Sequence, residues 1–127
     1  MTRPAPATTA AGRSLQLIRA GYGVTLLLVP GPAIRLATGS VPSRRTCRTA
    51  RLLGARHLVQ SALTAAVPLP VTFAIGGQVD SAHAASMLLL AAVSRPGRRA
   101  ALTDALTEAV FATAGFSVSV RARPENP

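Results

Sequence analysis

Residues 58–79, LVQSALTAAVPLPVTFAIGGQV, run through 22 positions without a charged side chain, and residues 109–120, AVFATAGFSVSV, do the same over 12. Basic clusters separate such apolar blocks along the chain. The clusters consist of Arg44, Arg45, Arg48 and Arg51, and of Arg95, Arg98 and Arg99. Apolar blocks divided by Arg-rich turns are typical of a membrane protein with several spans.

The composition of the 127-residue chain indicates a single membrane domain. Charged residues make up 14% of the chain and aromatic residues 3%, whereas soluble domains carry about 25% charged residues. The apolar side chains are mainly those of Ala, Leu and Val. Lipid can solvate a surface of such side chains, and small residues let helices approach closely. The alternative is a soluble Ala-rich helical bundle, because the apolar stretches are short for a bilayer.

The net charge of +10 raises the question of a nucleic-acid partner. The basic side chains are all Arg, they lie between apolar blocks, and few aromatic side chains are available to stack on bases. We therefore expect no nucleic-acid partner and interpret the charge as a topology signal. The single cysteine, Cys47, excludes an intrachain disulfide and a cysteine-based metal site.

Proline and glycine residues divide the chain into four predicted helices, at residues 14–29, 50–67, 79–94 and 98–118. The sequence thus predicts an all-α fold, a compact four-helix transmembrane bundle with short loops. At 1.5 Å per residue the shorter helices reach about 24 Å. This is less than the roughly 30 Å hydrocarbon core, and local thinning of the bilayer would absorb the mismatch.

The predicted helices leave five other segments. Residues 1–13 are rich in Pro, Ala and Thr and are predicted to be disordered. Residues 31–49 form a basic first loop, residues 69–78 an uncharged turn, residues 95–97 a short third loop, and residues 119–127 a polar tail. The membrane domain is therefore predicted at residues 14–118.

Seven ionisable side chains fall inside the predicted helices. A charged group inside a membrane span costs free energy, so each of them is by default a candidate for a functional role. These intramembrane polar candidates are Arg19, Arg56, His57, Asp80, His83, Asp104 and Glu108. The depth of each position in its helix predicts an outer layer, with Arg19 beside Asp80 and with His83. It also predicts an inner layer, with Arg56 beside Asp104 or Glu108 and with His57. Pairs that staple helices together are one interpretation, and a polar path is the other.

His83 lies on one stripe of the third predicted helix with Asp80 and Met87. Asp80 could orient the His83 imidazole, and His83 with Met87 could contact a soft metal ion such as Cu(I). Two ligands do not make a site, so we predict no metal, no cofactor and no catalytic residue. The sequence contains no phosphate loop, nucleophile elbow or zinc signature.

Two short motifs, RLLGARHLVQ at residues 51–60 and DSAHAASM at residues 80–87, carry a resemblance. Residues 15–116 resemble small four-span integral membrane proteins of actinobacteria without an assigned function, which are loosely DoxX-like. The resemblance implies the four-helix fold and the membrane compartment, and it implies no activity. The shared residues would be Gly54, Arg56, His57, Gln60, Asp80, His83 and Met87.

We expect a small polytopic protein of the cell membrane without catalysis, acting as an accessory or interaction subunit. Its partners would be the lipid bilayer and a membrane protein or second copy of the chain, packed through small-residue helix faces. The faces are Ala101, Ala105, Ala109 and Ala112, and Gly54, His57, Ser61 and Ala65. The alternative is a membrane protein that handles protons or a small solute through Asp80, His83 and His57.

The distribution of arginines predicts the orientation of the four spans. Eight lie in loops one and three or beside them, and four lie at the two termini. Because positively charged loops stay in the cytoplasm, we predict that loops one and three are cytoplasmic and that both termini are outside.

Cys47 tests this orientation, since it is the only thiol and belongs to the predicted first loop. A membrane-impermeant maleimide should leave Cys47 unlabelled in intact cells and should label it once the membrane is opened. The measurement is the labelled fraction on a gel, with Cys47→Ser as the control for background labelling. Labelling of Cys47 in intact cells would reverse the predicted topology.

Overall fold

The computed structural model describes residues 6–123, with side chains from residue 10 onward, and this range contains helices and no strand. The all-helical fold is the one that the sequence predicts. The helices are α1 (Pro6–Leu28), α2 (Pro30–Thr38), α3 (Arg44–Ala66), α4 (Pro70–Val93) and α5 (Arg98–Arg121). The bundle therefore has four long helices and one short one.

Hydropathy gives a mixed result for these helices. None of those in residues 6–123 is, by itself, both long enough and apolar enough to cross a membrane. The helices α1 and α2 meet the same criteria when taken together, but the pair is bent by 108° at the break between them.

Each long helix contains more residues than predicted. Helix α1 begins at Pro6, inside the segment predicted to be disordered, of which residues 1–5 lie outside the described residues. Helix α5 continues to Arg121, beyond the predicted end at residue 118. Residues 124–127 of the predicted tail also lie outside the described residues.

Two proline residues explain why the predicted loops are helical. Pro30 begins α2 and Pro70 begins α4, because the first turn of a helix does not need the N–H that proline lacks. The predicted first loop therefore contains α2 and the start of α3, and the predicted turn at residues 69–78 is the start of α4. Helix α3 begins where the Ser43 hydroxyl accepts a hydrogen bond from the Thr46 amide.

The long helices form two antiparallel hairpins. Helix α1 packs along α3, with α2 connecting them across one end of the bundle; we call this unit the α1–α3 hairpin. A turn at residues 94–97 connects α4 to α5, and the two helices pack against each other to form the α4–α5 hairpin. In the α1–α3 hairpin the two backbones touch at Gly23 and Gly54, where a Cβ on Gly54 would lie 2.6 Å from the Gly23 carbonyl oxygen.

The small residues that the sequence singles out lie mostly inside the chain, with two exceptions. Helix α5 buries Ala101, Ala105 and Ala112 and leaves Ala109 exposed. In the same way α3 buries Thr64 and leaves Ala65 exposed. Strict steps of four residues drift around a helix of 3.6 residues per turn, so the buried stripe alternates steps of three and four.

The interior of the bundle contains ionisable side chains, and many aliphatic side chains lie on its surface. Among the described residues, the largest fully buried side chains are Arg19, His57, Asp80 and Glu108. A small apolar cluster of Leu15, Phe73, Phe111 and Val118 accompanies them. On the outside, 23 Leu, Ile and Val side chains of the described residues are exposed. Ionisable residues in soluble domains are almost never fully buried unless paired.

We expect Gly54→Ala to destabilise the α1–α3 hairpin. The new Cβ would lie 2.6 Å from the Gly23 carbonyl oxygen and 2.9 Å from the Leu27 amide nitrogen, and neither backbone atom can rotate away. Overpacking of this kind costs about 1–3 kcal/mol. Thermal unfolding of the purified protein, followed by circular dichroism, measures the effect.

Gly21→Ala is the matched control in α1. A Cβ at Gly21 meets no atom within 4 Å, and alanine favours a helix over glycine by about 1 kcal/mol. The stability of this variant should be unchanged or higher. Equal losses in the two variants would show that the backbones do not meet at Gly54.

Candidate functional site

Arg19 of α1 and Asp80 of α4 form the best-aligned pair between the two hairpins. The Arg19 Nη1 and Nη2 atoms donate to the two carboxylate oxygens of Asp80 at 3.0 and 2.6 Å. The Arg19 side chain is 2% exposed and that of Asp80 is 0% exposed. The guanidinium carbon also lies 4.7 Å from the centre of the Phe111 ring, which adds a cation–π contact. The predicted pairing of Arg19 with Asp80 is thus present, in bidentate geometry.

Arg56 of α3 connects two acidic residues of the other hairpin. Its Nη2 atom lies 2.6 Å from Glu108 Oε2 and 3.4 Å from Asp80 Oδ1. Of the two predicted partners, Glu108 and not Asp104 makes the contact. Gln60, one turn further along α3, donates to Asp80 Oδ1 and to the Gly76 carbonyl oxygen, both at 3.3 Å. Asp80 is therefore bound by two arginines and one amide.

The two predicted layers of charge are wrong, because Arg56 joins them. Arg19, Arg56, Asp80 and Glu108 each lie within two residues of the midpoint of their own helix. The predicted first and third helices begin too late, which places Arg19 and Asp80 near their ends. With the observed helix bounds, the four charged residues share one level of the bundle.

His57 belongs to the same cluster as His83, although the prediction places His57 in the inner layer and His83 in the outer layer. Its Nε2 atom lies 2.7 Å from Glu108 Oε1, and both side chains are fully buried. The N–H direction is not aligned for a hydrogen bond, and Nδ1 has no hydrogen-bond partner among the described residues. The imidazole packs against Tyr22 and Phe111, with ring centres 5.1 and 5.4 Å away.

His83 pairs with Asp104 inside the α4–α5 hairpin, and not with Asp80. The His83 Nε2 and Asp104 Oδ2 atoms are 2.7 Å apart, and the two side chains are 24% and 17% exposed. One ligand atom from each of His83, Asp104 and Glu108 lies within 4.8 Å of the others. The structure thus brings all seven candidates into one continuous cluster, partly exposed at His83 and fully buried at His57.

The charges of the cluster are divided between the two hairpins. Both arginines, Arg19 and Arg56, come from the α1–α3 hairpin. The acids Asp80, Asp104 and Glu108 all come from the α4–α5 hairpin. Such complementarity makes the association of two surfaces specific, because any other arrangement brings unpaired or like charges together.

Three members of the cluster, Gln60, Tyr22 and Phe111, are absent from the predicted set of candidates. Gln60 follows Arg56 by four residues and so lies on the same face of α3, which is a usable signal. Phe111 follows Glu108 by three residues and shares its face in the same way. Tyr22 carries no such signal, because a lone Tyr in an apolar helix is equally compatible with contact to lipid.

A groove of about 660 Å³ lies beside the cluster and is separate from it. Its lining includes Gln16, Ser61, Thr64 and Phe73, and none of the seven candidates. The Gln16 Oε1 atom is buried without a hydrogen-bond partner among the described residues. The seven candidates therefore do not line this groove.

The arrangement of the cluster suits it to holding helices together. Asp80 and Glu108 each contact an arginine at 2.6 Å, which leaves few lone pairs free for a substrate. No protein-family model, curated protein or solved structure matches the chain. The function must therefore be inferred from the geometry and chemistry of the cluster itself.

We expect Asp80→Ala to destabilise the protein by about 3–5 kcal/mol, because it strands the buried Arg19 guanidinium. Adding Arg19→Leu should restore part of the loss, since the double variant removes the two charges together. Thermal unfolding of the wild type, both single variants and the double variant completes a double-mutant cycle.

Arg13→Leu is the control for this cycle, since Arg13 is an exposed arginine of the same helix. It should neither destabilise the protein nor rescue Asp80→Ala. If the double variant loses as much as the sum of the two single variants, Arg19 and Asp80 are not energetically coupled.

Proposed function

We propose that the chain is a small integral membrane protein whose four long helices form a bundle inside the bilayer, and that it acts as a non-catalytic accessory or interaction subunit. One observation carries the proposal: four ionisable side chains are fully buried, whereas 23 Leu, Ile and Val side chains of the described residues are exposed. In water, a fully exposed Leu, Ile or Val side chain lacks the roughly 1.5–3 kcal/mol of stabilisation that full burial gives. Lipid removes that cost.

The lengths of the helices support this proposal. The four long helices contain 23 or 24 residues each, which gives about 35 Å at 1.5 Å per residue. This matches the roughly 30 Å hydrocarbon core with a modest tilt. The charged centre of each helix lowers its hydropathy, and in the proposed arrangement these centres face one another and avoid lipid.

The orientation is part of the proposal. Helix α2, the start of α3 and the α4–α5 turn lie at one end of the bundle, because α1 and α4 run in the same direction. Eight arginines belong to this end: Arg35, Arg44, Arg45, Arg48, Arg51, Arg95, Arg98 and Arg99. An end with this charge faces the cytoplasm, and both termini then lie outside.

The proposed partners are lipid and a membrane protein or second copy of the chain. Small residues such as Gly54, Ala101 and Ala105 are occupied inside the chain. An assembly partner would therefore mostly meet Leu and Val side chains of the outer surface. A non-catalytic role agrees with this arrangement, because the buried charges contact one another.

The resemblance to small four-span actinobacterial membrane proteins fits the same proposal. Of the residues that carry it, Gly54 lies where the α1 and α3 backbones touch, and five others lie in the charge cluster. Those five are Arg56, His57, Gln60, Asp80 and His83. The two motifs thus coincide with the residues that join the helices, which is a physical reason for them to occur together.

The rival function, handling of protons or a small solute through Asp80, His83 and His57, has less support. Asp80 is engaged by Arg19, Arg56 and Gln60 and is 0% exposed. His83 contacts a different acid, Asp104. Each of the three residues named for that function is thus paired with a different charged residue.

We expect the chain to remain in the membrane pellet after washing with alkaline carbonate. High pH releases proteins that are bound by charge, whereas helices embedded in lipid are retained by their apolar surface. Immunoblots of the pellet and the supernatant measure the distribution, with a peripheral membrane protein of the same cells as the control. Release of the chain into the supernatant would contradict the proposal.

Val110→Arg sharpens this test. Val110 is 61% exposed at the middle of α5. If this position faces lipid, an Arg there costs about 2.5–3.5 kcal/mol. If it faces water, the same change alters stability by about 0.5 kcal/mol or less. The membrane-inserted yield should therefore fall. Val120→Arg is the matched control, because Val120 is 63% exposed at the end of the same helix and its replacement can snorkel. Equal yields of the two variants would argue against a bilayer around α5.

A further inference from the structure

We propose that His83, Asp104 and Glu108 bind one divalent transition-metal ion between α4 and α5. One ligand atom from each residue lies within 4.8 Å of the other two. Ligands bound about 2.0–2.2 Å from one tetrahedral ion lie roughly 3.4 Å apart. Closure around an ion therefore shortens the widest separation by up to about 1.4 Å, which rotation of the three side chains can supply.

The distribution of charge leaves a place for a cation here. Arg19 and Arg56 balance Asp80 and Glu108 one to one. Asp104 is a third carboxylate that is only 17% exposed, and its ion-pair partner in the described chain is the His83 imidazole at 2.7 Å. A bound metal ion would supply positive charge beside the Asp104 carboxylate.

Glu108 offers a second observation that points to a ligand. Its Oε2 atom accepts from Arg56 at 2.6 Å. Its Oε1 atom is buried and receives no aligned hydrogen bond from the described residues, although the His57 ring lies beside it. Arg56 thus orients the Glu108 carboxylate in the way that an outer partner orients a metal ligand, and the ion would compete with His57 for the second oxygen.

The donor set selects the class of metal ion. One imidazole nitrogen and two carboxylate oxygens suit Zn²⁺, Co²⁺, Fe²⁺ or Mn²⁺, whereas Cu(I) prefers sulfur ligands. The prediction of no metal fails to anticipate this set, because the two predicted layers separate His83 from Asp104. Three protein ligands leave a coordination position for water, and the 24% exposure of His83 provides access. This inference does not require the chain to lie in a bilayer.

The test uses the purified full chain without a polyhistidine tag, stripped with a chelator and titrated with Co²⁺. A visible d–d absorption band should rise to saturation at one equivalent, and Zn²⁺ should abolish it. His83→Gln and Asp104→Asn should each weaken Co²⁺ binding at least tenfold. Cys47→Ser, which removes the only thiol, should retain the band. Circular dichroism verifies that each variant is folded, and the conservative Asp104→Asn keeps the test decisive if His83→Gln unfolds.

Three results would overturn the proposal: no band in the wild type, a band that survives in both ligand variants, or a band that disappears only in Cys47→Ser.

Discussion

The two hairpins of this bundle meet through paired charges, and the rest of the structure depends on that contact. Arg19 and Arg56 approach from one hairpin, and Asp80 and Glu108 approach from the other. Removing a charge from water costs several kcal/mol, so the pairs stabilise the bundle only when both partners arrive together. A slip of one turn in the register would separate both pairs at once. The contact therefore fixes how the hairpins align more strictly than apolar packing would.

Within each hairpin the helices are held by different means. Gly23 and Gly54 let the α1 and α3 backbones touch, and buried alanines such as Ala105 bring α4 and α5 together. Close packing of small residues needs no water to drive it, so it works in lipid as well as in water. The charged centre then adds specificity between the two packed units. Close packing within each hairpin and paired charges between the hairpins together explain how a chain with 3% aromatic residues can specify one arrangement of helices.

The sequence predicts the helical class and the pairing of Arg19 with Asp80, because opposite charges in apolar segments have few other stable arrangements. It does not predict α2 or the helix bounds, since Pro30 and Pro70 can begin a helix as well as end one. Placing helix ends at both prolines produces the two false layers of charge. The sequence also leaves the choice between Asp104 and Glu108 open, because the two acids are one turn apart and only packing decides which one Arg56 reaches. The spacing of residues along a helix does not determine how the helix is rotated about its own axis in the bundle.

The order of the two hairpins along the chain has a consequence for synthesis. The α1–α3 hairpin leaves the ribosome first, and it carries Arg19 and Arg56 without any acid to neutralise them. Helices α4 and α5 follow after a connection of only three residues, 67–69, and bring every carboxylate of the cluster. A nascent chain that stops after α3 thus leaves Arg19 and Arg56, near the middle of their helices, without a carboxylate partner. Such a fragment is a natural substrate for cellular quality control, whereas the finished chain neutralises both charges internally.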